Sequence, residues 1–100
     1  MKLGILVNAD EHLRDIVELT RAAVSTGHEV MLFTMDRGVR LLENPSYTEL
    51  SALSGVAMSV CEHSATACGV RTEGLPEKIV RGSQYHNSVM THSAYKVIVL

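Results

Sequence analysis

The stretch Leu3-Gly4-Ile5-Leu6-Val7-Asn8-Ala9-Asp10-Glu11 decides the fold. Its first five residues are continuously apolar, as in a strand buried on both faces of a parallel sheet. It turns polar at Asn8, and Asn8 with Glu11 three residues later has the form of a capping box. A helix follows. Leu13, Ile16, Val17, Thr20, Ala23 and Val24 recur at helical spacing, which makes one apolar stripe. Glu11, Arg14, Asp15, Glu18 and Arg21 take the other side, where opposite charges three or four apart can pair. Gly27 stops the helix.

The same strand-to-helix alternation continues outward. His28–Thr34 reads as a second strand, Asp36-Arg37-Gly38 as a turn or cap, and Val39–Leu42 as a short helix. Asn44-Pro45 breaks that helix, since the residue before proline avoids helical geometry. Ser46-Tyr47-Thr48-Glu49 reads as a second capping box, opening a helix to about Leu53 that Gly55 ends. Val56–Val60 is the third strand, and a helix follows Cys61 as far as Gly69. Val70–Gly82 has no clear period; Glu77-Lys78-Ile79-Val80 reads as a short turn or an edge segment. Ser83 caps a helix through about Ala94, and Lys96–Leu100 closes the chain as a strand. The expected class is α/β: a three-layer α/β/α sandwich on a mainly parallel sheet of four or five strands, in one domain over residues 1–100.

Composition excludes several functions. The 100 residues are 46% hydrophobic and 20% charged, with a net charge of −2 and 4% aromatics. Basic residues form no stripe and there is no stacking platform, so no nucleic-acid partner is expected. No apolar run approaches the ~20 residues that span a bilayer, and the apolar start is too short for a signal-peptide core. No membrane association is expected, and the expected location is cytoplasmic. The two cysteines then read as thiols. So small a layered domain buries only about 60–70% of its unfolded surface, and a self-associating face is expected.

Ligands in such sheets sit beyond the carboxyl ends of the strands. Topology gathers Asn8, Asp36, Arg37, Cys61 and His63 there. Cys61 stands where a strand meets a helix start, and unpaired N–H groups and the helix dipole favour a thiolate at such a place. The plainer alternative is that Cys61 is a small buried hydrophobe. His63 reads either as a solvated helix-start residue or as a proton donor or acceptor for Cys61. Cys68, seven residues on, would lie about 10.5 Å away along a helix, beyond the ~7 Å reach of a disulfide. It reads as a packed residue near a helix end. There is no Cys-x-x-Cys pair, no glycine-rich phosphate loop, no Gly-x-Ser-x-Gly elbow and no histidine pair at i, i+4 spacing. No cofactor and no metal are called for.

Several segments together resemble the DsrE/DsrF-like family. They are Lys2–Asn8, His28–Phe33, Asp36-Arg37-Gly38-Val39, Val60-Cys61 with Ala67-Cys68-Gly69-Val70, Gly82-Ser83-Gln84-Tyr85, and Ala94–Leu100. The resemblance spans nearly the whole chain. It implies a flavodoxin-like, DsrEFH-like sandwich that assembles into homo-oligomers. It also implies that Cys61 matches the cysteine that carries sulfur as a persulfide, passed between donor and acceptor proteins as in a sulfurtransferase. The other function class is a non-catalytic, oligomeric binding module of the same fold with an inert Cys61. A third is a small-ligand or metal-binding protein using the same edge.

Overall fold

The first strand, β1 (Lys2–Val7), lies inside the sheet and pairs in parallel with β2 (Glu29–Thr34) on one side and β5 (Lys96–Val99) on the other. The structure, a computed structural model, covers residues 1–100. Beyond β2 lie β3 (Val56–Cys61) and β4 (Ile79–Gly82), giving a five-stranded, all-parallel sheet in the order β4-β3-β2-β1-β5. Ile79–Gly82 is therefore the edge segment, and the fifth strand is real.

The chain steps one way from β1 to β4 and then returns across the sheet to β5. Right-handed crossovers in opposite directions place their helices on opposite faces. The apolar face carries α1 (Leu13–Ser25), the segment Asp36–Glu43 and α2 (Pro45–Thr48). They enclose Ile5, Val7, Ile16, Val30, Leu32, Val39, Tyr47, Leu50, Met58 and Val60. The return helix, α4 (Gln84–Ser93), lies alone on the other face, where Met90 meets Phe33 and Cys61. This is the expected three-layer sandwich.

Three local expectations change. Asn8 does not cap α1: His12 holds the cap position, without a side-chain cap bond. Asp10 and Glu11 instead face Arg37, at 3.6 and 3.8 Å. Ser46 does not open the second box either. Asn44, in extended conformation before Pro45, accepts from the Ser46 N–H at 2.9 Å, so the helix starts two residues earlier. Its α-helical part is short and passes into a 3₁₀ turn, Glu49–Ala52. Val39–Leu42 belongs to a longer 3₁₀ stretch, Asp36–Glu43, which buries Gly38, Val39, Leu41 and Leu42. Gly38 is required there, because a Cβ would run into the Val7 carbonyl. The chain leaving β2 crosses close over the end of β1, and the Met35 N–H also bonds Val7 O at 2.9 Å.

Candidate functional site

Cys61 ends β3 and holds the cap position of α3 (Glu62–Ala67). Alternation along the strand sends Met58 and Val60 into the larger core and Cys61 to the α4 face. Its surface is only 4% exposed, and it packs with Phe33 and Met90. It nevertheless lines a cavity of about 410 Å³ formed by the carboxyl ends of three neighbouring strands. Met35 and Asp36 follow β2, His63 and Ser64 follow β3, and Gly82, Ser83, Gln84 and Tyr85 end or follow β4.

The third strand end belongs to the site because β3 and β4 run in register, Cys61 opposite Gly82. Ser83 then starts α4 as its cap. The Tyr85 N–H donates to Ser83 Oγ at 3.2 Å, and the Ser83 N–H donates to His86 Nδ1 at 3.4 Å. These reciprocal bonds close a capping box and fix the first turn of α4 beside the thiol. Gly82 leaves room for the imidazole, which a Cβ would strike.

Two influences compete at the sulfur. Burial pushes the thiol pKa up. Against it, the Ser64 hydroxyl, the N–H groups of Ser64 and His63, and the Gln84 amide favour the anion. The donors prevail, and the pKa falls below the usual cysteine value. The site therefore stabilises negative charge on Cys61 through hydrogen bonds.

Asp36 and His63 line the Cys61 cavity; Asn8 and Arg37 do not. Asn8 is exposed beyond β1, and Arg37 faces Asp10 and Glu11. Asp36 adopts a positive φ of 49°, and its carbonyl accepts from the Cys68 thiol at 3.6 Å. Cys68 packs against the larger core and Cys61 belongs to the smaller cluster, so the two sulfurs serve different faces. Both cysteines are free. Met35, Ser64, Gly82, Ser83, Gln84 and Tyr85 complete the cavity. The Ser83 cap marks a helix start. It points to the site only once Ile79–Gly82 is recognised as a parallel strand, which places that cap beside Cys61. No three His, Cys, Asp or Glu side chains gather in a metal-holding group, and no helix is long and apolar enough to cross a membrane.

The DsrE/DsrF-like family model matches residues 1–100, and the chain belongs to this family. Two solved structures share its fold. One is the protein of unknown function MTH1491 from Methanobacterium thermoautotrophicum, with a TM-score of 0.80 at 15% identity, covering 99% of this chain and 98% of that one. The other is the YchN protein from E. coli, with a TM-score of 0.70 at 18% identity, covering 99% of this chain and 97% of that one. No curated protein matches the chain.

Proposed function

We propose that this protein is a sulfur carrier of the sulfurtransferase type, holding sulfane sulfur as a persulfide on Cys61 and passing it to a partner thiol. The observation that carries the reading is the place of Cys61 where β3 passes into α3, lining a cavity at the carboxyl ends of three strands beside His63, Ser64 and Gln84, whose donor groups favour its anion. Membership of the DsrE/DsrF-like family, which is associated with sulfur relay, supports it.

In the loading step the Cys61 thiolate attacks the outer sulfur of a donor persulfide. A new S–S bond forms at Cys61, the donor's S–S bond breaks, and the donor cysteine leaves as a thiolate. In the unloading step an acceptor thiolate attacks the same outer sulfur, and Cys61 leaves as a thiolate. One sulfur atom moves each time, and the electrons balance without an outside oxidant or reductant. The donors serve both halves: they hold the attacking thiolate in the first and the leaving thiolate in the second. Asp36 and His63 form part of the wall against which the outer sulfur rests.

The test is to incubate the protein with a persulfide donor and measure its intact mass. One added sulfur is expected in the unsubstituted protein and in Cys68→Ser, and none in Cys61→Ser. A gain that survives Cys61→Ser overturns the reading.

A second reading has its own observation. Val80, Val89 and Val99 remain 47%, 40% and 56% exposed. Such apolar surface suits a homo-oligomeric binding module of the same fold, with Cys61 an inert packed residue. It predicts slow alkylation of Cys61 at neutral pH and a solution mass above that of one chain.

A further inference from the structure

At the amino ends of the strands, opposite the Cys61 edge, α1 and β5 flank a groove of about 430 Å³. Its origin is topological. β5 closes the sheet beside β1, while α1 packs toward β2, so the far flank of α1 and the border strand leave an open angle. Leu3 pairs with Lys96 and Ile5 with Ile98, and residues paired in this way point to the same side of a sheet. Lys96 and Ile98 therefore stand on the α1 face with Leu3. From α1 come Leu19, Ala22 and Ala23, whose spacing sets them on one stripe. Leu3, Leu19, Ala23 and Ile98 are only half-buried, so the walls are apolar surface left open to water.

The ionisable side chains around this groove are all basic. Lys2, His28 and Lys96 line it, and no Asp or Glu does. Neither lysine makes an ion pair: the paired cations of the chain are Arg14, Arg21 and Arg37. An apolar slot of about 300–1,000 Å³ with a few polar groups that fix orientation is the ordinary form of a small-molecule site. We propose that this groove binds a single amphiphilic carboxylate of medium chain length, its apolar tail laid between α1 and β5 and its anionic head beside Lys96 and Lys2. The site is separate from the Cys61 cavity and does not depend on the reading of that thiol. A second copy of the chain fits it less well, because a symmetric pair seated on this groove gathers the lysines of both copies at one interface, where like charges repel.

The experiment is calorimetric titration of the whole chain at neutral pH with decanoate, decanol and decylammonium, each below the concentration at which it aggregates. Saturable binding of decanoate is expected, weaker binding of decanol and the weakest of decylammonium. Octanoate is expected to bind about tenfold more weakly than decanoate, as for two methylenes no longer buried. Lys96→Met keeps the apolar stem and removes the charge. It is expected to weaken decanoate by about two- to fivefold, the scale of a partly exposed ion pair, and to leave decanol unchanged. Ala22→Trp fills the slot from an exposed helix position and is expected to abolish binding of both. Absence of saturable decanoate binding, decanol binding as tightly as decanoate, or decanoate binding that survives Ala22→Trp overturns the proposal. So does a solution mass above one chain that Ala22→Trp lowers, since the groove is then covered by a second copy.

Discussion

Cys61 and Gly82 are register partners at the carboxyl ends of β3 and β4. The pairing sets the cap of α4 beside the thiol, because Ser83 and Gln84 follow Gly82 directly. It joins the geometry of one helix start to the chemistry of a residue twenty-odd positions earlier in the chain.

Gly82→Ala tests that link. The added methyl strikes the His86 ring and turns it aside, so the Ser83 N–H loses its acceptor while the Tyr85 N–H keeps its bond to Ser83 Oγ. A cost of about 0.5–1.5 kcal/mol is expected, the scale of one hydrogen bond. Urea unfolding measures it. Alkylation of Cys61 in the folded protein is expected to slow in parallel, because half of the box that fixes the turn carrying Gln84 is lost.

The lowered pKa of Cys61 gives stability a pH slope of known sign. Between the lowered folded value and the ordinary unfolded one, the unfolded chain binds more protons, and stability rises with pH. The contribution is complete above about pH 8.5, the ordinary thiol value, and is lost as pH falls through the folded value. Cys61→Ala is expected to flatten this rise in a series of unfolding curves across neutral and mildly alkaline pH.

Tyr47 behaves oppositely. Its hydroxyl is fully buried and lies 2.6 Å from the Thr34 hydroxyl. Burial raises its pKa well above the ordinary value, and the Thr34 bond offsets only part of that rise. The unfolded chain releases this proton near pH 10 while the folded chain keeps it, so stability falls as pH rises past about 10. Tyr47→Phe is expected to cost about 1–2 kcal/mol at pH 7 by orphaning Thr34. It is also expected to remove that alkaline loss. Unfolding at two pH values checks both.

Gly38→Ala places a methyl against the Val7 carbonyl inside the closed core. Neither backbone has room to give, and a loss of about 1–3 kcal/mol is expected. The thermal midpoint reads it.

Long periodic segments were legible because one residue's placement agreed with its neighbours'. Leu3–Val7 and the stripe from Leu13 to Val24 each repeat one instruction several times. Termini carried less information. Asn8 and Glu11 fit a capping box in spacing, yet Glu11 and Asp10 face Arg37 across space, a contact the local pattern does not encode. Asn44 and Ser46 are both good cap residues, and Pro45 decides between them by fixing the first helical position. Ile79–Gly82 has only four residues and one buried side chain, Ile79, so alternation had nothing to repeat. Missing that strand's certainty hid Gln84, which enters the site through the strand's register with Cys61.

The outermost strands are four residues each, while the three between them are six. Their free margins therefore offer few main-chain donors and acceptors to an incoming strand, and Pro76 lies just ahead of β4. Continuous sheet extension from one copy to the next is disfavoured at both borders. Association through side chains on its faces or rims is favoured instead, where substitutions can tune recognition without disturbing the backbone ladder.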